Sequence, residues 1–121
     1  MKNGVKVAGD KIIIVYNGMQ AMRIINNIRF CSSCHNYSEI YFDTDNPVIA
    51  PIGINKLSLL LPEESFYKCH RLYIINLEIL YEAIVKDGKI LYHEQVFPVS
   101  RNRVKEFRHK AEAYRTYDKA G

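Results

Sequence analysis

Short β-branched and aromatic runs, cut at close intervals by turn-forming residues, constrain this chain more than any other feature. Lys11 to Asn17 (KIIIVYN) reads as a strand, and Asn17-Gly18 is a tight hairpin signal because both residues tolerate positive φ. Met19 to Ile25 follows as a second strand, with Asn26-Asn27 as a turn before Ile28 to Cys31. Ser32 to Tyr37 is polar and turn-like, and Glu39 to Asp43 is the return strand of a hairpin. Asp43 to Pro47 turns again before a short strand from Val48 to Ile52.

The texture then changes. Leu57, Leu60 and Leu61 fall at helical spacing, and Pro62 stops that segment after about two turns. Phe66 to Cys69, Tyr73 to Leu77 and Ile79 to Val85 return to strand patterning. Asp87-Gly88 joins Ile84-Val85 to Ile90-Leu91-Tyr92, and Gln95 to Val99 closes the series. Ser100 is a candidate N-cap for a final helix over Arg101 to Tyr117. There Val104, Phe107, Ala111 and Tyr114 form an apolar stripe beside a basic one of Arg101, Lys105, Arg108 and Arg115. The expected fold is mainly β: several small antiparallel sheets, a short mid-chain helix and a C-terminal helix. The expected boundaries are a loosely held leader over 1–10, one domain over 11–117 and a tail over 118–121.

With 121 residues, of which 48% are hydrophobic, the chain can bury a core as one domain. Its net charge of +4 is unevenly spread. Residues 101–121 hold seven Lys or Arg against three acids, a surplus equal to the whole net charge. Such a basic segment suits a phosphate-bearing partner. No segment approaches the roughly 20 apolar residues of a membrane span, and the N-terminus lacks a secretory apolar run. A cytoplasmic location is expected, with the three cysteines reduced.

Two blocks carry a family resemblance. The first is Phe66-Tyr67-Lys68-Cys69-His70-Arg71, continued by the apolar Leu72 to Ile79 with Asn76 inside it. The second is Val96-Phe97-Pro98-Val99-Ser100-Arg101. In this order and spacing they resemble the LytTR family of bacterial DNA-binding domains, over about residues 10–110. That family shows an aromatic, a basic residue, His-Arg or His-Asn, an apolar patch with Asn, and a closing Pro-Val-Ser-Arg. The resemblance implies a transcription regulator, not an enzyme, that places loops in successive major grooves of double-stranded DNA and needs no cofactor. It also implies direct-repeat sites and a homodimer on DNA.

By that resemblance Arg101 and Arg71 are base-reading residues, since Arg can make two parallel hydrogen bonds to guanine. Lys68, Asn102, Lys105 and Arg108 are candidates for phosphate contact, which positions without specifying sequence. The family's third contact comes from an early hairpin loop, here Ser32 to Tyr37, with His35 and Asn36 as its polar candidates. An acidic residue common before that loop is replaced by Phe30-Cys31-Ser32. His70 has no matching nucleophile or acid for catalysis, so it is expected to hold its loop by hydrogen bonding. Asn76 is expected to be a buried amide serving backbone groups.

Two competing readings come from different classes. One is a protein-binding regulatory module on the same fold, meeting a partner through exposed sheet edges. The other is a redox or metal protein. Cys31-Ser32-Ser33-Cys34-His35 matches the C-x-x-C-H haem pattern, and Cys31, Cys34 and Cys69 with His35 or His70 have zinc-ligand chemistry. Cys69 beside Lys68, His70 and Arg71 could also be a low-pKa thiol. The preferred expectation is reduced cysteines packed as small hydrophobes and no metal site.

Overall fold

The computed structural model describes residues 2–120, with side chains described as far as Tyr114. Eleven strands and two α-helices follow in the order β1 (Gly4–Ala8), β2 (Lys11–Tyr16), β3 (Met19–Ile24), β4 (Ile28–Cys34), β5 (Tyr37–Phe42), β6 (Val48–Ala50), α1 (Ile54–Leu60), β7 (Phe66–His70), β8 (Tyr73–Asn76), β9 (Ile84–Lys86), β10 (Lys89–Tyr92), β11 (Gln95–Pro98) and α2 (Val104–Ala120). The strands form three antiparallel sheets: β1-β2-β3, β6-β5-β4-β8-β7 and β11-β10-β9.

The five-stranded sheet is the middle layer and has a core on each face. On one side Ile12 and Ile14 of β2, with Ile54 and Leu57 of α1, pack on Cys31, Ile40, Phe66 and Ile74. On the other side Ile90, Phe97, Phe107 and Ala111 pack on Phe30, Tyr67, Cys69 and Ile75. A register shift between Ile28 and Phe30 lets these residues, two apart, enter opposite cores. The apolar stripe expected on α2 docks as its spacing implied. Phe107 and Ala111 are buried, and Val104 and Tyr114 are packed against the same core.

The two Asn/Asp-Gly hairpins form with positive φ at both central residues: Asn17 at 50° and Gly18 at 79°, Asp87 at 52° and Gly88 at 71°. Several boundaries differ from expectation. Residues 4–8, expected within a loose leader, are strand β1, paired residue for residue with β2 from Gly4↔Val15 to Ala8↔Lys11. Backbone pairing with a long apolar neighbour orders this segment despite Gly4. Leu77–Tyr81, expected to be mostly strand, is a 3-10 turn capped by Asn76, whose side-chain oxygen accepts the amide of Glu78. That cap bends the chain away from the sheet. The polar Ser32 to Cys34 stays in β4, so the hairpin turn narrows to His35-Asn36. The final helix begins with a 3-10 turn, Arg101–Arg103, and α2 continues past Tyr117 to Ala120. The side chain of Arg115 lies outside the described residues.

Candidate nucleic-acid interface

Hydrogen-bond register brings three separate loops to one edge of the middle sheet. β4 runs antiparallel to β8 with Ser32 opposite Tyr73, and the Ser33 amide donates to the Leu72 carbonyl at 2.9 Å. The β4–β5 tip, His35-Asn36, therefore sits beside the β7–β8 tip, Arg71-Leu72. Adjacent hairpins of this kind lie about 10 Å apart, two strand spacings. The third loop is tied on from the neighbouring layer, where the Ser100 amide donates to the Cys69 carbonyl at 2.9 Å. Arg101 and Asn102 follow at once, in a turn closed by the Arg103 amide on the Ser100 carbonyl at 2.8 Å. The Ser100 hydroxyl makes no capping bond, so its carbonyl, not its side chain, starts the helix.

His35, Asn36, Arg71, Arg101 and Asn102 are all exposed on this edge. His35 adopts φ 56°, a left-handed conformation that a two-residue turn demands. Lys68, on β7 just before the edge, is half-buried and its ammonium donates to the Asn55 side chain of α1. Lys105 and Arg108 are exposed on α2. Arg108 lies two helical turns beyond Arg101, about 10 Å along the axis, and lines a hollow with the Val85–Gly88 hairpin. It is thus set back from the loop edge, and Lys105 lies between.

Arg103 is the residue whose place sequence reasoning missed. Arg103 stands two residues after Arg101 at the helix start, yet it turns inward and its guanidinium donates to the Lys68 carbonyl. Only the packing of the Ser100 loop on β7 reveals this contact. Burial, and then the positive charge of Arg103, lower the Lys68 pKa. Among the described residues none of Lys68, Arg71, Arg101 and Arg103 is ion-paired with a carboxylate. Four cations that form no ion pair with a carboxylate make this an anion-seeking edge.

His70 behaves as its loop position suggested. Its Nδ1 accepts the Leu72 amide at 3.2 Å, closing the tip that carries Arg71. Burial, then the charges of Arg71 and Arg103, push its pKa down and favour the neutral imidazole that this acceptor role requires. Asn76 is 2% exposed; its amide nitrogen donates to the Ile28 carbonyl at 2.8 Å, and its oxygen accepts from Glu78 at 2.9 Å.

The cysteines do not converge. Cys31 and Cys69 lie in different cores, on opposite faces of the middle sheet, while Cys34 is exposed at the β4 end. Burial pushes the Cys69 thiol up to about 12 and raises Cys31 as well, opposite to the low-pKa reading. Among the described residues no three His, Cys, Asp or Glu side chains gather as a metal site. No helix among them is long and apolar enough to cross a membrane.

Comparison with known proteins agrees with the arrangement of elements. The fold is similar to a solved LytTr DNA-binding domain from Bacillus cereus, with a TM-score of 0.66 and 14% identity. That match covers 84% of this chain and 95% of the other. Among curated proteins none matches. The model of the LytTr DNA-binding domain matches residues 20–112, taking in all three loops and both sequence blocks, so the chain belongs to the LytTR family of DNA-binding domains.

Proposed function

We propose that this chain is a transcription regulator that binds double-stranded DNA at specific sequences through the loops of the cationic edge. Arg101 and Arg71 read base edges in successive major grooves, and the His35-Asn36 tip supplies a third contact. Lys68, Asn102, Lys105 and Arg108 hold the phosphate backbone. Two copies bind direct repeats side by side, and the protein works in the cytoplasm. No bound cofactor is required, because recognition uses only hydrogen bonds and charge.

One observation carries the reading: the Ser33–Leu72 and Ser100–Cys69 backbone bonds hold three exposed polar loops on one edge, with Arg71 and Arg101 exposed and free of ion pairs among the described residues. Selection of bound sequences from random duplexes, followed by salt titration of wild type and Arg101→Ala, tests it. We expect an enriched site, log affinity falling linearly with log salt, and relaxed base preference in Arg101→Ala. Absence of an enriched sequence, or a variant indistinguishable from wild type, would overturn the assignment of Arg101.

A further inference from the structure

The run Ile12-Ile13-Ile14-Val15 is apolar at every position, whereas a strand with one wet face alternates. Ile12 and Ile14 fill the first core, so Ile13 and Val15 project from the other face of the β1-β2-β3 sheet. The register extends that outer face into three rows: Lys6–Ile13–Met22, Gly4–Val15–Gln20 and Ala8–Lys11–Ile24. Ile13 and Val15 are half-buried on the floor of a hollow of about 440 Å³, edged by Lys2, Lys6 and Gln20. Met22 and Ile24 continue the apolar surface and remain 48% and 44% exposed. Lys6 and Lys11 stand in the rows, Lys2 at the rim, and no row contains an acid.

We infer that this face docks an amphipathic helix of a partner protein, whose apolar ridge is flanked by Asp or Glu. The recessed floor accepts a ridge of side chains, and the lysines meet the flanking carboxylates. A second copy of the same face would set lysine against lysine. A bilayer surface favours apolar side chains that protrude, whereas Ile13 and Val15 at the centre of the face are half-buried beside exposed Lys2 and Lys6. The face lies on an outer layer, apart from the loop edge of the middle sheet, so docking here does not use Arg71 or Arg101.

The test titrates isotope-labelled protein with a synthetic leucine–glutamate amphipathic helix. Its leucine–lysine counterpart and phosphatidylglycerol vesicles serve as the competing probes. We expect saturable shifts of the Ile13, Val15 and Met22 signals with the glutamate peptide and none with the lysine peptide. The double reversal Lys6→Glu/Lys11→Glu, at exposed positions that leave the core intact, weakens the glutamate peptide at least about tenfold. Arg101→Ala leaves its affinity unchanged, separating this surface from DNA binding. The inference falls if neither peptide shifts these signals, if vesicles bind in preference, or if the signals broaden only as the protein self-associates.

Discussion

The guanidinium of Arg103 donates a hydrogen bond to the main-chain carbonyl of Lys68, joining the start of the last helix to a strand 35 residues earlier. With the Ser100–Cys69 bond it clamps the Arg101 loop onto the Arg71 hairpin. Under the proposed function, in which Arg101 and Arg71 read bases, recognition needs a constant distance between them, so the clamp bears on it. Arg103→Met should lower affinity for the selected duplex about tenfold, the worth of one charge-assisted hydrogen bond. The salt slope should stay unchanged because no phosphate contact is lost. Arg103→Lys, retaining one donor, should recover part of the loss. A slope reduced by about one would instead make Arg103 a phosphate ligand.

Lys68 and Lys105 should behave differently from Arg101. Replacing either with Ala is expected to weaken binding to all duplexes alike and to reduce the salt slope by about one each. Arg101→Ala should cost ~1–3 kcal/mol on the preferred site and little on random DNA. Parallel titrations on selected and scrambled duplexes separate the two behaviours.

His70 supplies a pH dependence whose sign follows from its depressed pKa. The unfolded chain takes up a proton near the ordinary value of about 6.5, while the folded domain resists it. Stability from this residue is therefore fully present above that value. It declines as pH falls below it, levelling off beneath the folded pKa. Protonation also removes the acceptor for the Leu72 amide and loosens the Arg71 tip. An NMR titration should place the His70 midpoint below 6.5, with Leu72 amide exchange rising through the same transition. A midpoint at or above 6.5 would contradict the neutral acceptor role.

Asn76 tests the packing of the middle sheet. Asn76→Leu preserves volume but strands the Ile28 carbonyl and the Glu78 amide, at about 1–3 kcal/mol for each group left unpaired. Urea denaturation should show the lost stability in the midpoint with an unchanged slope.

The thiols should react in two classes. Cys34 is exposed, whereas Cys31 and Cys69 are both 0% exposed, with thiols made less acidic by burial. Iodoacetamide at neutral pH should modify one cysteine quickly and the other two only after unfolding. Rapid labelling of Cys69 in the native domain would restore the thiol-switch reading.

Much of this molecule was decided locally. Asn17-Gly18 and Asp87-Gly88 accept positive φ cheaply, so their hairpins are written in the dipeptides. The step of three and four residues from Val104 to Tyr114 dictates which side of α2 is buried. The two blocks around His70-Arg71 and Ser100-Arg101 were legible as motifs, and so were the candidate loops. Only the tertiary structure decided which elements meet, because pairing partners distant in sequence are chosen by burial and register, which no local window contains. It recruited Gly4–Ala8 as a strand, bent Leu77–Tyr81 out of the sheet and sent Cys31 and Cys69 into separate cores. It also turned Arg103 from a surface charge into a clamp, since an arginine at a helix start takes whatever acceptor the neighbouring layer presents.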